Sequence, residues 1–288
     1  MMQPASIPST IELAPKQAVE LDDLADLVPP GTRTYVTDLG SEDDDETLRA
    51  VERLRFLGLE PVPHLAARRV TSERSLRGRI ERLRSAGDVR DVLIIGGGLD
   101  KPAGPYDSTM AVLGTGVIEG SGITHVGVAG HPEGSPDFDD DAAFAALEEK
   151  RTYAAKNGLS LRIVTQFGFD PKATLAWVDD LAARGIDMPI HLGVAGPATR
   201  KTLLRYAAFC GVAASMQFLK RNALKIAALA QTQSPETVVG PIEERWNKGG
   251  TAIAGLHTFP FGGTAKSSAW LRERGSWPAA AHHRTAAE

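Results

Sequence analysis

The sequence predicts an α/β fold, a single closed (β/α)8 TIM-type barrel, and three observations carry that expectation. Eight short apolar runs rich in β-branched residues recur along the 288 residues. Stretches of helical period separate them. No linker rich in Pro, Gly or Ser divides the chain, and its length suits one barrel of about 250 residues. A doubly wound parallel sheet is the structural alternative.

The expected strands are Thr10–Leu13, Thr34–Asp38, Pro61–Leu65, Val92–Gly96, His125–Ala129, Leu161–Gln166, Pro189–Gly193 and Ile253–Thr258. After the second strand, Asp44–Leu57 reads as a helix, because Leu48, Val51, Leu54, Arg55 and Leu57 fall on one stripe with charges opposite. Ser41 and the acidic run Glu42–Glu46 suit the positive end of that helix. Further helices are expected at Ser72–Arg84, Asp140–Asn157, Pro171–Arg184, Thr199–Phe209, Leu219–Gln231 and Thr264–Arg274, with Gly158 and Gly185 at helix stops. The longest gap separates the last two strands, so Ala213–Gly250 is expected to insert an extra helix and loop. The barrel is assigned to residues 1–274 and a flexible tail to 275–288.

Composition narrows the function classes. Hydrophobic residues make up 42% and charged residues 24%, enough apolar material for a sizeable core. Lys+Arg 32 against Asp+Glu 36 gives a formal charge of −4, so no broad electropositive field favours nucleic acid. No apolar run nears the roughly 20 residues of a membrane span. The amino end lacks a secretory pattern, and the expectation is a soluble cytoplasmic protein. Cys210 stands alone and reads as a small buried hydrophobe in a reducing compartment. His282 and His283 have no companion ligands, so no metal site is expected.

In a barrel of this kind the active site forms where strands end. The residues there are Glu12, Asp38, His64, Gly96–Gly98, His131, Gln166, Gly193 and Thr258–Phe261. Glu12 sits inside the apolar run Ile11-Glu12-Leu13. Desolvation there raises a carboxyl pKa and suits it to donate a proton, and a strand-end pair with Lys16 is the alternative. Gly96-Gly97-Gly98 lets backbone amides approach a phosphate or flat ring, without the spacing of a dinucleotide fingerprint. The loop Gly130-His131-Pro132-Glu133-Gly134-Ser135-Pro136 puts a titratable ring between prolines that limit its entropy. Gln166, between Thr165 and Phe167, can hydrogen-bond the edge of a planar heterocycle.

The His-Pro-Glu-Gly-Ser-Pro loop, the Thr-Gln-Phe-x-Phe-Asp strand end, Pro63-His64-Leu65 and the opening Ile11-Glu12-Leu13-Ala14-Pro15 resemble, in order and spacing, the motifs of 5,10-methylenetetrahydrofolate reductases. The likeness spans Thr10 to Trp270. It implies a (β/α)8 barrel holding FAD, with NADH or NADPH reducing the flavin and the flavin reducing methylenetetrahydrofolate to methyltetrahydrofolate. One-carbon metabolism and methionine biosynthesis would be served, and no regulatory extension is expected. A homo-oligomer is compatible with this reading.

By the same resemblance, Glu12 is the general acid that protonates N10 of the folate, and Gln166 contacts the substrate ring. Thr202, Tyr206 and Phe259 line the folate side, beside His257, Thr258 and Phe261. His64, Gly98, Tyr106, Ala129, His131 and Lys150 fall at flavin contacts, with Lys150 toward the phosphates and Lys101 a further local base. At Gly98 the family usually carries the Asp of an Arg-Gly-Asp strand end; Asp100 is the nearest substitute. That departure motivates a flavin-free alternative in which NADH passes hydride directly to the folate. A non-catalytic folate- or flavin-binding barrel is the third alternative.

Overall fold

A computed structural model describes residues 6–38, 40, 44–135, 138–210 and 232–279. Eight parallel strands close into one barrel. They are β1 (Ser9–Leu13), β2 (Arg33–Val36), β3 (Glu60–Ala66), β4 (Asp91–Ile95), β5 (His125–Gly130), β6 (Ser160–Phe167), β7 (Ile190–Ala195) and β8 (Ile253–Phe259). Each strand pairs with its sequence neighbours, and β1 pairs β8 to complete the ring. All eight expected strands are present, so the closed barrel holds and the doubly wound sheet does not.

Period-2 alternation sorts the side chains. Ile11, Leu13, Val92, Ile94, Val126, Val128, Leu192 and Leu256 point outward into the main core beneath the helices. A smaller core of Tyr35, Val62, Leu93 and Val164 fills the barrel axis. A third cluster lies at the carboxyl rim: Phe167, Phe169, Ala195, Ala198, Leu203 and Ala207.

The helices Asp45–Phe56, Glu73–Gly87, Asp140–Asn157, Pro171–Ala183, Arg200–Phe209 and Thr264–Glu273 match their expected positions. Their ends follow local chemistry. Ser72, Asp139 and Asp170 accept from backbone N–H groups of the first turn, and Gly158 stops its helix at φ 69. Ser41, the helix expected at Leu219–Gln231, and His282 and His283 lie outside the described residues.

Glu236–Asn247 lies within the insertion expected at Ala213–Gly250 and packs on Pro171–Ala183. Its internal Pro241 obscures its bounds in the sequence. Arg200–Phe209 belongs to the rim cluster, through Leu203 and Ala207. Cys210, expected to be buried, is exposed at the end of that helix. Of the expected tail, residues 275–279 are described. Trp277 is 5% exposed, and its Nε1 donates to the Ser9 carbonyl at 2.8 Å, so this described stretch is held against the start of β1.

Candidate active site

Because Ile11 and Leu13 face the helices, Glu12 between them must face the barrel axis. Register then sets Thr10 against His257 on β8, and Glu12 against Tyr35 on β2. Glu12 Oε2 lies 3.2 Å from His257 Nε2 and 3.4 Å from His64 Nε2 on β3. Thr10 Oγ1 sits 3.0 Å from His257 Nδ1. The alternative partner, Lys16, pairs with Glu20 instead.

The electrostatics follow from burial. Desolvation raises the Glu12 pKa, with the His64 charge opposing it. Burial, then the Arg162 charge, pushes His257 down to about 3, and burial lowers His64 as well. At neutral pH the carboxyl is thus flanked by two uncharged imidazoles. Beneath them the Tyr35 ring meets His257 edge-on at 4.5 Å. The Tyr35 hydroxyl accepts from Arg162 Nε at 2.9 Å, and Arg162 Nη1 donates to Asp91 at 2.8 Å. Among the described residues no group of three or more His, Cys, Asp or Glu is arranged to hold a metal ion.

Above Glu12 the rim is aromatic. Phe259 packs between His257, at 4.8 Å, and Phe167, at 5.5 Å. Tyr206 stacks on Phe261 at 4.0 Å and 13°, bringing the helix Arg200–Phe209 over this side of the mouth. Gln166 Oε1 accepts from the Phe167 N–H at 3.0 Å, which fixes the side chain at the strand end. Thr202 serves its own helix: its N–H and hydroxyl both meet the Thr199 cap hydroxyl, at 3.2 and 2.9 Å. Glu133 of the His-Pro-Glu loop accepts from the Phe169 N–H at 3.1 Å, tying that loop to the end of β6.

Other strand-end residues do structural work. Asp38 pairs with Arg79 at 2.9 Å and accepts from the Gly40 and Ala66 amides, away from Glu12. Thr258 points outward to Ser9 Oγ at 2.8 Å, as alternation after His257 requires. Gly193 is needed for packing, since a Cβ there would meet the Thr165 carbonyl at 2.4 Å.

The six positions expected around a flavin lie on β3, on β5, on the loops after β4 and β5, and on the helix Asp140–Asn157. His64 is turned to Glu12. The Tyr106 ring is buried in the core under the helices. Gly98 is exposed and brings no carboxylate, and Asp100 is exposed on the following loop. Ala129 is half-buried on β5, His131 meets Phe138 edge-on at 5.1 Å, and Lys150 is half-buried with its pKa lowered by desolvation. Of these positions, Gly98 lacks the carboxylate that the resemblance implies there.

Thr10, Tyr35 and Arg162 were not singled out from sequence. Thr10 was legible, because it stands two residues before Glu12 on the same strand face. Arg162, a charge inside the apolar run Leu161–Ile163, carried a signal as well. Tyr35 gave none, since an aromatic in a strand is ordinarily core.

The methylenetetrahydrofolate reductase family model matches residues 19–233. Methylenetetrahydrofolate reductase 1 of Schizosaccharomyces pombe is 37% identical over 95 residues, 33% of this chain and 15% of that protein. The 5,10-methylenetetrahydrofolate reductase of Pectobacterium carotovorum is 27% identical over 206 residues, 71% of this chain and 66% of that protein. This chain therefore matches less than two thirds of the length of either relative. In fold it is similar to a GH18 chitinase from Pseudoalteromonas aurantia, with a TM-score of 0.51 at 11% identity over 93% of this chain and 100% of the other. That likeness concerns the barrel alone. With Glu12 on the first strand of a closed barrel and the family model matched from residue 19 to residue 233, the chain belongs to the methylenetetrahydrofolate reductase family.

Proposed function

We propose that this protein reduces 5,10-methylenetetrahydrofolate to 5-methyltetrahydrofolate with NADH or NADPH as hydride donor, a step of one-carbon metabolism. The observation that carries the reading is Glu12: a buried carboxyl with its pKa raised by desolvation, under an aromatic rim that suits a pterin or benzoyl ring.

The chemistry needs one proton and one hydride. Glu12 gives its proton to N10 as the C–N10 bond of the imidazolidine ring breaks, leaving an N5 iminium. Hydride addition to the methylene carbon then forms the methyl group and leaves oxidised nicotinamide.

His257 and Thr10 support Glu12 in both protonation states. When Glu12 is protonated, its O–H faces Nε2, Nδ1–H donates to Thr10, and the Thr10 hydroxyl donates to the Leu256 carbonyl at 3.3 Å. When Glu12 is ionised, Nε2–H donates to it and the Thr10 hydroxyl turns to Nδ1. Each state satisfies the buried atoms without charging the imidazole.

Direct hydride transfer in a ternary complex is the route we favour, because His64, Gly98 and Tyr106 are committed elsewhere or lack the needed group. The flavin-mediated route is the competing reading. The visible spectrum of the purified protein and the steady-state pattern decide between them. No absorbance near 450 nm after FAD addition, with intersecting kinetics, supports direct transfer; tight FAD binding with ping-pong kinetics overturns it. No NAD(P)H-dependent turnover of methylenetetrahydrofolate in either condition overturns the enzymatic reading and leaves a non-catalytic binding barrel.

A further inference from the structure

Tyr35, Val62, Leu93 and Val164 fill the barrel axis, and Arg162 on β6 places a guanidinium beside them. Gly127 makes the room. A Cβ there would meet Leu93 Cδ1 at 2.9 Å, and both Arg162 Nη2 and Val164 Cγ2 at 3.4 Å. Arg162 is 5% exposed. A charge buried in this way gains little stability over a well-packed apolar side chain of similar volume, so stability does not account for it.

The charge is incompletely met. Asp91 on β4 accepts from Arg162 Nη1 at 2.8 Å and also pairs with Arg33 on β2 at 3.4 Å, so two guanidiniums divide one carboxylate. Nε is spent on the neutral Tyr35 hydroxyl, at 2.9 Å, and Nη2 has no hydrogen-bond partner. In an apolar interior the surplus charge acts over several ångströms.

Contacts run in series from this guanidinium to Glu12. Its carbon lies 5.5 Å from the centre of the Tyr35 ring. The same ring meets His257 edge-on at 4.5 Å and His64 at 6.1 Å. His257 Nε2 in turn lies 3.2 Å from Glu12 Oε2. In the acid form of this pair one proton has two possible places: on the carboxyl beside a neutral imidazole, or on the imidazole beside a carboxylate. A cation behind the imidazole opposes the second arrangement, because it repels the nearer imidazolium more than it attracts the farther carboxylate.

The other groups around the pair do not supply that charge. His64 on β3 and His191 on β7 are uncharged at neutral pH through burial, and burial keeps the Tyr35 hydroxyl protonated. Asp38 and Arg79 stand beyond His64 and pair with each other. From the rim, the Cys210 thiol feels the Glu12 charge and stays protonated at neutral pH. Burial comes first in keeping His257 uncharged, and Arg162 is the charge that adds to it.

We propose that Arg162 is a positioning residue: standing behind Tyr35, it keeps the imidazole of His257 uncharged and so leaves the shared proton on Glu12. This role presupposes Glu12 as the acid of the proposed reduction.

The test reads the ring-nitrogen resonances of isotope-labelled histidine in the intact protein without substrate, with His257→Phe to assign the His257 signals. In Arg162→Gln the protonated fraction of His257 at about pH 5 should rise about tenfold, the effect of removing one charge at roughly 10 Å across an effective dielectric of about 20. Arg162→Lys keeps a cation while losing the guanidinium fork, and should restore the parent fraction. An unchanged fraction in Arg162→Gln overturns the proposal, and so does an equal rise in Arg162→Lys, which would mark a structural role. Where Arg162→Gln does not fold, Arg162→Met, apolar like Leu93 and Val164 beside it, takes its place. Imidazolium signals from His257 in the unaltered protein at neutral pH overturn the proposal by themselves. Because these signals are read without substrate, absent turnover of methylenetetrahydrofolate overturns the reductase reading alone.

Discussion

Glu12 Oε2 lies 3.2 Å from His257 Nε2 across the seam where β1 closes onto β8. The two residues are separated by 245 positions and meet only because the ring is complete. Burial at this seam raises the Glu12 pKa above that of an ordinary carboxyl. Burial disfavours the carboxylate, while the imidazole takes either role in the hydrogen bond.

Glu12→Gln keeps the shape and removes the proton. The rate of methylenetetrahydrofolate reduction should fall on the order of 10²-fold or more, with the circular dichroism spectrum unchanged. A variant within a factor of a few of the parent rate would show that another group supplies the proton.

The acid form of Glu12 is the active one, so kcat should decline as pH rises through its elevated pKa. His257→Phe removes the N–H that steadies the carboxylate while keeping a ring against Tyr35 and Phe259. The declining limb should move to higher pH. A limb that stays in place, or moves down, contradicts the role given to His257.

His257 also has a stability signature. Its pKa of about 3 in the folded chain lies below the roughly 6.5 of an unfolded histidine, so the unfolded state takes up the proton first. Its neutral burial is free of this penalty above about pH 6.5, and stability drains as pH falls toward 3. Urea midpoints of His257→Phe across this range should show a shallower loss than those of the parent.

Asp38 and Arg79 are both largely buried and 2.9 Å apart. Burial alone would raise the Asp38 pKa, but the Arg79 charge and the Gly40 and Ala66 amides outweigh it and hold the carboxyl below its ordinary value. Its contribution is present above the unfolded carboxylate pKa and is lost as pH falls through the folded one. Asp38→Asn should cost about 3 kcal/mol in urea unfolding, because Arg79 keeps Asp44 at 3.2 Å but loses its nearer partner. Activity per folded molecule should persist, which separates this residue from Glu12.

Tyr206 stacks on Phe261 at the rim. Tyr206→Ala removes an aromatic pair worth about 0.5–1.5 kcal/mol, so KM for the folate should rise roughly 2- to 12-fold with kcat little changed. A fall in kcat at constant KM would move Tyr206 from substrate placement to the chemistry itself.

The sequence alone determined the barrel. Eight β-branched runs and the amphipathic stretches between them carry their period locally, and period is what separates strand from helix. It also marked Glu12, since a carboxylate between Ile11 and Leu13 faces inward by alternation whatever surrounds it. Where Pro241 interrupts a helix or a glycine leaves a floor open, local pattern said little. Only the closed tertiary structure decided that Glu12 meets His257 and His64 instead of Lys16, that Asp38 is spent on Arg79, and that Tyr106 lies in the core. Those outcomes depend on which strands become neighbours and how their registers align. Such relations join residues far apart in the chain, and no window of sequence contains them.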